Sequence, residues 1–117
     1  MKDYQGSCHC GAVSYRVSLD LDAPVTTCNC SICQRSGTML SFVPADTFHL
    51  DSGADDLTVY QFGKKHLEHP FCKTCGIRSF SRGTAPDGKM MIAVNVRCLK
   101  DVELGGLTVK EFNGRKL

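Results

Sequence analysis

The sequence predicts an all-β fold of seven or eight short strands, and three observations carry that prediction. Apolar and polar residues alternate in several short runs, turn-forming residues punctuate those runs at close intervals, and no segment sustains a helical repeat for ten residues. A chain of 117 residues with 42% hydrophobic composition can bury one modest core, so a single domain over 1–117 is expected.

Taken in order, Val13-Ser14-Tyr15-Arg16-Val17 has the period-two pattern of a half-buried strand. Cys30 to Ser36 is the one candidate helical turn, and a turn there would swing Cys33 towards Cys28 and Cys30. Met39 to Val43 and Phe48 to Leu50 read as strands, and Leu57-Thr58-Val59-Tyr60-Gln61-Phe62 alternates again. Met90 to Val96 reads as a more fully buried strand, and Leu107-Thr108-Val109-Lys110-Glu111-Phe112 as a last half-buried one. Turn signals separate them at Asp22-Ala23-Pro24, Pro44-Ala45-Asp46, Asp51-Ser52-Gly53, Ala85-Pro86-Asp87-Gly88 and Asn113-Gly114.

Sheets this small have little core, and the cysteines suggest how the deficit is met. Seven of the eight fall into three clusters: Cys8-His9-Cys10, Cys28-Asn29-Cys30-Ser31-Ile32-Cys33 and Cys72-Lys73-Thr74-Cys75. Thiolates two or three residues apart can close on one tetrahedral ion, and zinc is the leading candidate. The odd count suggests two zinc ions per chain, one with four thiolates and one with three and an open position. A folded thiolate site supplies on the order of 10–16 kcal/mol, enough to matter for a small sheet.

Glycine suggests which cysteines share an ion. The first and third clusters end in Cys10-Gly11 and Cys75-Gly76, and glycine can take positive φ and turn backbone N–H groups towards sulfur. Cys8, Cys10, Cys72 and Cys75 are therefore expected to form a closed structural site, and Cys28, Cys30 and Cys33 an open one. A carboxylate, His9, His49, His66, His69 or Cys98 could fill the fourth position, although a surface or hydrogen-bonding role is the plainer reading for each histidine. A buried, metal-free cysteine is the plainer reading for Cys98.

Charge excludes other classes. The formal charge of +2 becomes −1 if seven thiolates hold two divalent ions, and no basic stretch with interleaved aromatics appears, so no nucleic-acid partner is expected. Lys64-Lys65 and Arg115-Lys116 read as solvated surface. The residues after Met1 do not resemble a signal peptide, and the longest later apolar run, Met90 to Val94, is far too short to cross a bilayer. No membrane association and a cytoplasmic location are expected, where clustered thiols are metal ligands or redox groups rather than disulfides.

Beyond the cysteines, the chain resembles a known family in Gly6-Ser7-Cys8-His9-Cys10-Gly11-Ala12-Val13, Cys28-Asn29-Cys30-Ser31-Ile32-Cys33, Phe62-Gly63, His69-Pro70-Phe71-Cys72-Lys73-Thr74-Cys75-Gly76-Ile77 and Asn95-Val96-Arg97-Cys98-Leu99. These residues, in this order over most of the chain, resemble the glutathione-dependent formaldehyde-activating enzyme family, which also includes centromere protein V. The resemblance implies a β-tent of antiparallel sheets, a structural zinc on Cys8, Cys10, Cys72 and Cys75, and a catalytic zinc on Cys28, Cys30 and Cys33. It also implies carbon–sulfur lyase chemistry, joining formaldehyde and glutathione into S-hydroxymethylglutathione or cleaving it.

Two departures bear on the substrate. Ser81-Arg82 follows Phe80 where close members commonly have His-Arg, and Phe112-Asn113-Gly114-Arg115-Lys116-Leu117 stops before a tryptophan often seen after that turn. The first is expected to remove a polar group from a neighbouring strand, and the second to leave one edge less covered.

In such a site a zinc-bound thiol would be largely thiolate and could add to an aldehyde carbon. His69 and His66 are weak candidates for the proton donor. Arg35, beside Cys33, is the first candidate to recognise the carboxylates of a small-molecule thiol such as glutathione, ahead of Arg97, Lys64 and Lys65; balancing thiolate charge is nearly as plain a role for it. Two other classes fit the same cysteines: a non-catalytic zinc-stabilised interaction domain, and a thiol redox or metal-handling protein.

Overall fold

The computed structural model describes residues 1–63 and 65–116, and it contains ten strands, more than the seven or eight expected. They are β1 (Lys2–Ser7), β2 (Ser14–Leu19), β3 (Val25–Cys28), β4 (Leu40–Pro44), β5 (Phe48–Ser52), β6 (Leu57–Tyr60), β7 (Leu67–Cys72), β8 (Phe80–Thr84), β9 (Met90–Asn95) and β10 (Val109–Phe112). One helix, α1 (Ser31–Ser36), occupies the expected helical turn. The unanticipated strands lack a pattern of their own. β1 reads KDYQGS, β3 has four residues, β7 runs through Pro70, and β8 contains Gly83. Pairing partners supply what local alternation does not.

The strands form a three-stranded sheet ordered β1-β2-β5 and a seven-stranded one ordered β10-β3-β4-β9-β8-β7-β6. Every neighbouring pair is antiparallel except β10 with β3, which run parallel with Phe112 opposite Cys28. The expected antiparallel β architecture therefore holds with one exception, and that exception lies beside the second cysteine cluster.

Alternation along β2 explains how the sheets meet. Tyr15, Val17 and Leu19 are buried while Arg16 is exposed and pairs with Asp51 on β5. The buried set packs with Val43, Phe80, Ile92 and Val94 of the larger sheet. Tyr15, Phe48 and Phe80 form an aromatic triangle with centroid separations of 5.0, 6.3 and 4.7 Å, which joins the sheets through large apolar faces. Strands at the rim behave differently. β10 is exposed throughout and β6 nearly so, although both show alternating sequences, because each lies at an end of the larger sheet. Leu117 lies outside the described residues.

Candidate metal centres

Two turns of the same construction build the first cluster. Cys8 follows β1, and the Cys8 N–H donates to Val13 while the Gly11 N–H returns to the Cys8 carbonyl; Cys72 ends β7, and its N–H donates to Ile77 while the Gly76 N–H returns to the Cys72 carbonyl. Gly11 and Gly76 have φ of 84° and 80°, the left-handed region expected of them. Beyond each glycine a backbone N–H meets sulfur: Ala12 serves Cys10, and Ile77 serves Cys75. Val13 donates to Cys8 Sγ at 3.3 Å.

The four Sγ atoms lie within 4.8 Å of one another, with Cys8–Cys10 and Cys10–Cys72 at 3.6 Å. Zinc–sulfur bonds in a tetrahedron imply sulfur–sulfur edges of about 3.8 Å, so this set fits one tetrahedral ion. Its protonation also suits a ligand set. The Cys10 and Ile77 N–H groups hold Cys75 down to about 6. Cys10 is drawn down by Ala12, yet Cys72 and the other crowded thiols leave it up at about 11. Four sulfurs this close cannot all ionise without a cation among them.

The second cluster is assembled by β3, which ends at Cys28, and α1, whose first turn carries Cys33. Its three Sγ atoms also lie within 4.8 Å, and among the described residues no fourth cysteine, histidine or carboxylate joins them. Burial, then Cys30, pushes Cys33 up to about 12. Burial acts the same way on Cys30, but the N–H groups of Cys33 and Ile32 and the adjoining thiols outweigh it and hold Cys30 low. Three soft donors with one side open suit a thiophilic ion that keeps a position for an incoming ligand.

That open side faces a cavity of about 440 Å³ lined by Cys28, Cys30, Cys33 and His69. His69 is only 5% exposed and stacks on Phe62 at 5.6 Å. Its Nδ1 lies 3.1 Å from Ser81 Oγ and 3.3 Å from Arg78 Nη1. A guanidinium can only donate, so Nδ1 accepts and the proton of the neutral ring sits on Nε2. Burial, then the Arg78 charge, lowers the His69 pKa below its ordinary value and favours that neutral form.

The model of the family described as glutathione-dependent formaldehyde-activating enzyme matches residues 3–110. The chain belongs to this family. A Halomonas elongata protein named "Putative glutathione-dependent formaldehyde-activating enzyme" is 35% identical over 80 residues, 61% of this chain and 50% of that protein, so the match spans about half the length of this curated relative. A crystal structure of a Rhodobacter sphaeroides protein, solved as a structural genomics target, superposes with a TM-score of 0.80 at 33% identity, covering 92% of this chain and 99% of that one.

Within this family member, the other candidate residues are dispersed. Cys98 sits in a turn over Val96–Cys98, takes an N–H from Asn95 at 3.6 Å and lies nearer the first cluster, whose Cys8 and Cys75 raise its pKa after burial. His9 and His66 are exposed, and so is His49 on β5. Arg35 donates to the Ser31 carbonyl of its own helix and lines a separate groove with Tyr60 and Phe62. Arg97 reaches the Gly37 carbonyl, Lys65 is exposed, and Lys64 lies outside the described residues.

Three site residues escaped the sequence reading. Arg78 carries no motif of its own. Ser81, expected to cost the site a polar group, instead supplies one to His69. Gly114 presses against the second cluster, where a Cβ would lie 2.5 Å from Cys28 Sγ. The Asn113-Gly114 pair had signalled only a turn.

Proposed function

We propose that this chain is a zinc-dependent carbon–sulfur lyase-type enzyme that makes or breaks an adduct between a small-molecule thiol and an aldehyde, as the family's glutathione and formaldehyde chemistry suggests. The observation that carries this reading is the three-thiol cluster open to a cavity shared with His69. Bound zinc would lower the pKa of a thiol occupying its remaining position and hold it as thiolate.

The chain's own residues account for the rest. Cys8, Cys10, Cys72 and Cys75 would hold the structural ion, and Cys28, Cys30 and Cys33 the second. In synthesis the substrate sulfur adds to the aldehyde carbon, a carbon–sulfur bond forms, and the thiol proton ends on the new hydroxyl oxygen; cleavage reverses each transfer. His69, kept neutral with its proton on Nε2, serves as hydrogen-bond donor to that oxygen. Arg78 and Ser81 act through it as positioning residues. All eight cysteines are free, which suits the reducing, cytoplasmic setting expected for such a site.

The test follows carbon-13 formaldehyde by NMR with glutathione and, separately, with 2-mercaptoethanol. Wild type should exceed the spontaneous rate with at least one thiol, Cys30→Ser should fall to background, and His69→Phe, which keeps a ring but no donor, should lose about 10²-fold or more. Equal rates in wild type and Cys30→Ser would remove the second cluster from the reaction. Background rates in wild type with both thiols would sink the enzymatic reading.

A further inference from the structure

Two arginines line the cavity beside the second cluster, and they are held differently. Arg82 Nε donates to Glu68 Oε1 at 2.7 Å, so its charge has a carboxylate partner. Arg78 has only neutral ones. Its Nη1 donates to His69 Nδ1 at 3.3 Å, and its Nη2 donates to Ser36 Oγ at 3.1 Å and reaches Thr38 Oγ1 at 3.5 Å. Among the described residues no Asp or Glu pairs with Arg78, and none lines the cavity.

These contacts fix the guanidinium without balancing its charge. His69 and Thr38 are 5% and 4% exposed, and Ser36 closes α1, the helix that carries Cys33. Ser36 Oγ in turn donates to the Ile32 carbonyl at 2.9 Å, so the chain of contacts runs from Arg78 to the backbone beside the cluster. A guanidinium has five N–H groups; three are used here, and two remain for a further acceptor. Arg78 is half-buried, and a half-buried cation without an anion is costly. The cluster adds a constraint of its own. Three thiolates exceed the charge of one divalent ion, and a substrate thiolate in the open position adds a further negative charge. A carboxylate on that substrate would be repelled unless a cation in the cavity received it.

We infer that Arg78 selects the thiol by receiving a carboxylate that the thiol carries. This inference rests on the thiol-adduct reading above. The sulfur sits at Cys28, Cys30 and Cys33, the hydroxymethyl oxygen faces His69 Nε2, and the carboxylate lies on the remaining N–H groups of Arg78. In glutathione the glycyl carboxylate is fewer bonds from sulfur than the γ-glutamyl one, and it is the one assigned to Arg78. The γ-glutamyl end, with its ammonium, then leads out of the cavity past Phe42 and Leu67, which are 56% and 51% exposed, and stays hydrated. Hydrogen bonds between two ionised partners are about twice as strong as neutral ones, so replacing this carboxylate by an amide weakens the contact even though the amide oxygen still accepts.

Isothermal titration of the zinc-loaded full chain with glutathione, its glycyl amide and 2-mercaptoethanol tests the assignment. Glutathione should bind at least tenfold more tightly than the amide. In Arg78→Gln, with zinc content and circular dichroism unchanged, that ratio should fall below threefold. Arg78→Lys, which keeps the charge but not the planar fork, should give an intermediate ratio. If Arg78 served only to place His69 or to balance the cluster, its loss would weaken all three thiols alike and leave the ratio intact, which overturns the proposal. Equal binding of glutathione and its amide to wild type also overturns it, requires no variant to fold, and leaves the thiol chemistry standing. Failure of all three thiols to bind overturns both this assignment and the thiol-adduct reading.

Discussion

His69 owes its tautomer to Arg78, nine residues along the chain and 3.3 Å away in space. Burial and then the guanidinium charge disfavour the imidazolium, so the folded-state pKa lies below the ordinary value of 6.5. Between the two values the unfolded chain binds more protons than the folded one. This group therefore costs nothing above pH 6.5 and destabilises the fold progressively as pH falls below it. In Arg78→Met the ring should titrate higher than in wild type yet still below 6.5, because burial persists. NMR of the His69 ring carbon checks this, and an unchanged titration would remove Arg78 from the account. At this scale the sequence showed which residues could do chemistry, since histidine and cysteine announce themselves by type. It did not show that Arg78 sets the tautomer or that Ser81 completes the contact, because both depend on pairing between distant strands.

Among the elements, β10 shows most clearly how far local pattern reaches. Its alternation was legible in Leu107 to Phe112, but its parallel pairing with β3 was not, for nothing in either segment encodes a partner some eighty residues away. That pairing delivers the following turn to the second cluster. Asn29, between two cysteines of that cluster, donates from Nδ2 to Asn113 at 2.9 Å and accepts from the Arg115 N–H at 3.0 Å. Arg115 also reaches Gln34 on α1. Gly114 then lies flat on Cys28, and its φ is not in the left-handed region; close approach alone excludes a side chain. Gly114→Ala should force the turn off the cluster, leaving zinc content near one ion per chain instead of two while the circular dichroism remains β-rich. Plasma mass spectrometry of the metal reads the first quantity. Two tightly held ions in the variant would show that the turn yields without disturbing the site.

Across the whole molecule the two clusters have unequal positions, and their loss should have unequal consequences. Cys10 and Cys72 are 62 residues apart in sequence, and their cluster fastens the end of β1, in the smaller sheet, to the end of β7, in the larger one. Closing so long a loop carries an entropic cost in folding, and a thiolate-bound ion supplies about 10–16 kcal/mol against it. Net stability of a domain this size is about 5–15 kcal/mol, so losing such an ion would be enough to unfold the chain. The second cluster ties only β3, α1 and the turn after β10, near one end of the larger sheet. Cys75→Ser should therefore fail to give a cooperative thermal transition. Cys30→Ser should lose one zinc and keep a transition within about ten degrees of wild type, as its apolar core between the sheets is untouched. Glycine placement had already separated these clusters, because the Cys-Gly steps carry their conformational demand locally. A folded Cys75→Ser and an unfolded Cys30→Ser would reverse the assignment, making the open cluster the one on which the fold depends.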